Sequence, residues 1–149
     1  MIGVDLDADA IAMALADKAD ALRQELEDKV RANLSGVILK SRSGALLDSI
    51  SSDIEDDGSG VTATITSADV PYAGILEYGG KTAAHDIVPS KAKALAFIAG
   101  GAERFAKIVH HPGSTIRAFA YMGSALDDLR DEITSGLKAA VLEALGADQ

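Results

Sequence analysis

The 149-residue chain has no cysteine and no tryptophan. Without cysteine it can form neither disulfides nor thiolate metal sites, which fits a reducing compartment. No apolar run approaches the ~20 residues that a membrane helix needs. The start, Met1-Ile2-Gly3-Val4-Asp5, lacks the basic and apolar regions of a signal peptide. The expectation is a soluble protein made in the cytoplasm, with no membrane partner. Positive charge is also scarce: 14 Lys and Arg stand against 23 Asp and Glu, a net charge of −9. Sequence-independent DNA binding requires several cations to neutralise phosphates, so an acidic chain poor in aromatics is a weak candidate for it. At this length one domain over 1–149 is expected, burying roughly 70% of its unfolded surface.

The scarce residues are concentrated. All three prolines, all three phenylalanines and two of the three tyrosines lie between residues 70 and 119. The charge is uneven too. Residues 81–117 carry two acidic and six basic side chains, while residues 1–80 carry 15 acidic and six basic, and residues 118–149 six acidic and two basic. The basic middle reads as a solvated or a partner-facing surface.

Around this middle the pattern is helical. Ile11, Leu15, Leu22, Leu26 and Val30 recur in steps of four or seven, predicting an amphipathic helix over about 7–33. It would be about 39 Å long and serve either as a cover or as a lever for subunit contact. Residues 43–50 read as a helical turn entering a strand, with Ser43 placed to cap it. Asp57-Gly58-Ser59-Gly60 between two strand-like runs is a hairpin signal, and Thr62, Thr64 and Thr66 alternate with Ala63 and Ile65. Tyr72, Ile75, Leu76 and Tyr78 fit one side of a helical turn ended by Gly79. Residues 81–86 read as a loop and 87–89 as a short extended piece. Residues 95–98 and 104–109 form a second hairpin around Gly100-Gly101. Both its faces are largely apolar, so it is expected to be central and covered on both sides. The last helical region is expected over about 115–146, carried by Leu126, Leu129, Ile133, Leu137, Val141 and Leu145, with Ser124 as its cap. The sheet and its loops then occupy about 49–110. The predicted fold class is α+β, a mostly antiparallel sheet of four or five strands packed with a long N-terminal and a long C-terminal helix.

Chemistry is hard to find in this sequence. Gly79-Gly80-Lys81-Thr82 resembles the end of a phosphate loop, but position 75 is isoleucine where glycine is required, so the stretch is a turn. His85, His110 and His111 are the only histidines, and the adjacent pair would point to opposite faces of a strand. The acidic run Asp53, Glu55, Asp56 and Asp57 lacks the calcium-loop pattern and fits a solvated hairpin tip. No catalytic constellation, metal site or cofactor site is expected.

The order of several short motifs carries more. V-P-Y-A-x-x-L-E-Y-G-G at residues 70–80 is followed by I-V-P at 87–89 and K-A-L-A-F at 93–97. V-H-H-P-G-S-x-x-R-A-F follows at 109–119, and S-G-A-L-L-D-S-I precedes them at 43–50. Together they resemble the tail-completion, or head–tail joining, proteins of the neck of long-tailed bacteriophages, prophages and gene transfer agents. The resemblance spans about residues 40–145. Y-A-x-x-x-E-Y-G is its most specific part, and Ala118 departs from it where relatives often carry proline. It implies a non-enzymatic virion protein, a ring component of the head–tail connector, with a hexamer of identical copies as the expected assembly. The implied partners are portal, adaptor or stopper proteins on one side and tail tube or tail terminator on the other, with DNA passing through without specific binding.

Within that reading Tyr72, Glu77, Tyr78, His85, His111 and Arg117 are the expected partner contacts, since tyrosine combines contact area with a polar tip. Tyr72 and Tyr78 as plain core residues is the competing reading. Asp53, Glu55, Asp56 and Asp57 are expected to face the DNA channel, where carboxylates repel phosphate. Three alternatives stay open: a tail terminator, a tail-assembly chaperone, and a small hydrolase using His110 or His111 with a carboxylate.

Overall fold

A computed structural model describes residues 7–40 and 43–146. Residues 1–6, on which the reading of the chain's start rests, lie outside the described residues. Helix α1 (Ala8–Leu34) is capped by Asp7, whose side chain accepts hydrogen bonds from the N–H groups of Asp9 and Ala10 at 3.1 and 3.0 Å. A short helix, α2 (Ala45–Asp48), leads into the antiparallel hairpin of β1 (Ile50–Asp56) and β2 (Val61–Ser67). Gly44, at φ +81°, holds the N-cap position expected for Ser43, while Ser43 Oγ accepts a long hydrogen bond from the Ala45 N–H at 3.4 Å. A left-handed cap favours glycine because it has no Cβ to clash.

Helix α3 (Ala73–Tyr78) follows, and then the chain runs out and back. Strand β3 (Gly80–Lys81) pairs with β8 (Thr115–Ile116), β4 (His85–Ile87) with β7 (Val109–His111), and β5 (Leu95–Ala99) with β6 (Ala102–Ala106). The three antiparallel ladders are nested, so residues 80–116 form one interrupted two-stranded arm with Gly100-Gly101 at its tip. Between the second and third ladders the outgoing side holds residues 88–94 against 107–108 on the returning side. The segment 81–86, expected as a loop, thus supplies rungs of this arm. The last helix, α4, spans Gly123–Gly146.

The expected α+β fold, with two long helices and antiparallel strands, is present. Among the described residues the strands pair as four separate two-stranded ladders. Helix α1 is the common support: the β1–β2 hairpin leans on it, and so does α4, while β2 and α4 pack little on one another. The buried cluster lies at the C-terminal end of α1, where Val30 and Leu34 meet Leu46, Ile50, Ala73, Tyr121 and Ala125. Tyr121, only 1% exposed, is the largest of these. Its burial pushes the phenol above its ordinary pKa. Asn33 is buried beside it and donates to the Tyr121 carbonyl at 2.9 Å and to Ser124 Oγ at 3.2 Å, so its amide is satisfied.

A polar tie fastens α1 to β1. Arg23 donates to the Ser52 hydroxyl, which donates to Glu27. Arg31 bonds Glu27 at 2.8 Å and reaches the carbonyls of Leu47 and Ile50 at 3.1 and 2.6 Å. Ser52 and then Arg31 hold the Glu27 carboxyl below the usual glutamate range. No helix among the described residues is long and apolar enough to cross a membrane.

Candidate interaction surface

The 95–109 hairpin was expected at the centre of a sheet, covered on both faces. It lies at the far end of the arm instead. Ile98 is 80% and Phe105 68% exposed, and Phe97, Ile108, Ile87 and Val88 are exposed as well. The alternation that makes both strands apolar on both sides calls for two covering layers. None comes from α1, α4 or the β1–β2 hairpin, on which neither β5 nor β6 packs extensively. This apolar surface is the feature that reading the sequence missed. Its signal was a doubly apolar hairpin in a chain with only two long helices, each of which has another surface to cover.

At the root of the arm, the E-Y-G triplet of the most specific motif has three separate tasks. Glu77 is buried, 8% exposed, and its two carboxylate oxygens accept the N–H groups of Met122 at 2.9 Å and Gly123 at 2.8 Å. It therefore caps α4, satisfying amides that the first helical turn leaves without partners. This corrects two expectations. Glu77 faces inward rather than toward a partner, and Ser124 is not the cap, because its hydroxyl accepts from Asn33. Tyr78 is the next residue and is 83% exposed, since one step around a short helix turns a side chain away from the body. Tyr72 is exposed as well. The buried residues of α3 are Ala73 and Glu77, not the tyrosines. Gly79 ends the helix at φ +72° and ψ 179°, a combination confined almost wholly to glycine. A Cβ there would lie 2.7 Å from the Ala118 backbone nitrogen. Phe119 and Ala120 donate back to the carbonyls of Leu76 and Glu77 at 2.8 and 3.1 Å, which closes the root. The segment 115–121, expected to open the last helix, is thus strand β8 and a turn held against α3.

Halfway along the arm, His85 and His111 are directly opposite and their rings stack with centroids 5.1 Å apart. Asp86 and His110 are the next pair, joined at 2.5 Å. As expected, His110 and His111 project to opposite faces. The His110–Asp86 pair is exposed, and no third group bonds the His110 ring among the described residues. It links two strands in solvent, where such a pair contributes little. Arg117 is exposed, with its guanidinium 4.8 Å above the Phe119 ring. No cluster of three or more metal-ligating side chains occurs among the described residues.

The four acidic residues of the first hairpin divide into two kinds. Asp53 and Glu55 stand on the outer face of β1, opposite Thr64 and Thr62, and are exposed. Asp56 and Asp57 build the tip. Asp56 accepts the Gly58 N–H at 2.9 Å, and Asp57 accepts the N–H groups of Ser59 and Gly60 and the Ser59 hydroxyl. The Ser59 hydroxyl, then those two N–H groups, hold the Asp57 carboxyl below its ordinary pKa.

Because β2 and α4 pack little on one another, a trough runs between them along α1. Leu22, Leu26, Val61, Ala63, Ile133 and Leu137 line its middle. It continues to the β1–β2 tip at Asp56 and to Tyr78 at the other end, through cavities of about 290, 250 and 480 Å³ that share lining residues. Compared with known proteins, the chain matches no family model, no curated protein and no solved structure.

Proposed function

We propose that this chain is a structural, non-enzymatic component of the neck of a long-tailed bacteriophage or a related particle, a ring of identical copies between portal and tail. The observation that carries this reading is the arm of residues 80–116, which holds large apolar side chains in water in the isolated chain. Contiguous exposed apolar surface of this kind marks a protein–protein contact. The motif resemblance supports the same reading. Its most specific residues, Ala73, Glu77 and Gly79, build the root from which the arm projects, while Tyr78 stays on the surface.

In this reading Tyr72, Tyr78, His85, His111 and Arg117 belong to the partner-facing side of the arm and its root. Glu77 supports them from inside. Asp53 and Glu55 supply the carboxylates facing the DNA channel, with the tip residues Asp56 and Asp57 beside them, so that DNA passes without binding. A hexamer is the assembly the resemblance implies, and the chain functions in the virion after synthesis in the host cytoplasm.

Mass spectrometry of purified particles, with copy numbers, tests the proposal. About six copies per particle, fixed by imaging at the head–tail junction, is the expected result. Copies on isolated tails before head joining would assign the chain to the tail terminus instead. Presence during assembly but absence from finished particles would make it a chaperone. Complete infectious particles that lack the chain would overturn the reading.

A further inference from the structure

The arm and the trough are complementary in three respects. The first is polarity. The arm tip exposes large apolar side chains on both faces, beside Glu103 and Arg104, and the middle of the trough is lined mostly by apolar side chains. The second is size. Each strand of the tip has five residues, about 17 Å. The α1 floor of the trough runs from Ala12 to Val30, about 27 Å at helical rise. The third is charge. Residues 81–117 carry a net +4, and the remainder of the chain carries −13. The arm's charge is available for a partner. Lys81, Lys91, Lys93, Arg104 and Lys107 make no side-chain ion pair or hydrogen bond among the described residues. At the other side, Asp56 lies in the lining of the trough, and Asp57 is beside it at the hairpin tip.

We propose that the arm tip of one copy seats in the α1–β2–α4 trough of a second copy of this chain, basic arm against acidic body. The contact is heterologous: the donating and accepting surfaces are different, so each copy keeps one of each for the next. Such contacts generate rings when the rotation closes. The backbone adds to the fit. Among the described residues strand β2 pairs only with β1, so alternate N–H and C=O groups on its other edge have no strand beside them. The acceptor is thereby a strand edge as well as an apolar floor. The inference rests on the proposed function only in taking copies of this chain as one another's neighbours.

The absence of cysteine makes the test direct. Phe105→Cys is introduced in one preparation of the full chain and Leu126→Cys, on the α4 wall, in another; both positions are exposed. The two are mixed at up to about 1 mM, to capture weak association, and oxidised mildly. The expected result is a disulfide-linked heterodimer, formed at least about tenfold faster than with Val37→Cys, which lies outside the trough. Arg104→Glu together with Lys107→Glu, both exposed positions, should lower that rate about tenfold. So should raising the salt toward 1 M, which shortens electrostatic reach to about 3 Å.

Equal linkage to Val37→Cys would overturn the inference. So would exclusively intramolecular linkage in a single chain carrying both cysteines, because the chain's own arm would then be the occupant. Linkage that is absent at every concentration overturns it too. None of these results bears on whether the chain is found at the neck, which particle composition decides separately.

Discussion

Single side chains set the local geometry in two places where their chemistry is testable. Glu77 holds two backbone N–H groups of the α4 start inside the fold, and a buried donor left without an acceptor is costly. Glu77→Ala is expected to lower unfolding free energy by about 2–3 kcal/mol in urea denaturation. Glu77→Gln, which keeps one acceptor oxygen, should lose less. An unchanged midpoint for the alanine variant would mean the cap contributes nothing. Asp57 does the same on a smaller scale for the β1–β2 turn. Its folded pKa lies below the ordinary aspartate value of 3.8, so the turn's stabilisation is complete above that value and fades as pH falls through the lower folded one. In Asp57→Ala the amides of Ser59 and Gly60 are expected to exchange faster at pH 6 than in the parent, while those of β2 are unaffected.

At the scale of elements, two glycines have opposite expectations for opposite reasons. Gly79 lets α3 stop and the returning strand pass against it, and both its dihedrals and the nearby Ala118 backbone exclude a side chain. Gly79→Ala is expected to cost about 2–3 kcal/mol and to loosen the arm root, read as lost protection of the Phe119 and Ala120 amides. Gly136 is in the interior of α4 at φ suited to any residue. A Cβ there would crowd the far end of the Lys18 side chain, 2.6 Å from its Cε, which can swing aside, and would meet Leu22 Cδ1 at an ordinary 3.8 Å. Gly136→Ala should therefore stabilise the protein by about 0.5–1 kcal/mol through helix propensity alone. A large destabilisation would show that α1 and α4 approach more rigidly than a flexible lysine permits.

For the molecule as a whole, the buried core and the exposed apolar surface are different regions. The buried cluster gathers at one end of α1, and the arm lies apart from it. Tyr78 is 83% exposed, so Tyr78→Ala should change unfolding free energy by no more than about 0.5 kcal/mol. Particle yield in complementation should nevertheless fall under the proposed function, which puts this exposed tyrosine on the partner-facing root. A variant with parental stability and parental yield of infectious particles would count against that placement.

The long helices, the first hairpin and its Asp-Gly turn were legible in the sequence. Each rests on local periodicity or on a turn residue acting over a few positions. Gly79 ending α3 belongs to the same class. The placement of the second hairpin was not legible. An apolar alternation states that both faces need cover and is silent on whether the cover comes from the same chain. Only the tertiary structure decided that α1, α4 and β2 leave residues 95–106 outside. Glu77 likewise looked like surface, because a carboxylate in an aromatic turn has no local sign that its acceptor oxygens meet amides 45 and 46 residues away. Local rules thus determined which elements form. Which of their faces remain in water depended on how the first hairpin and α4 packed along α1.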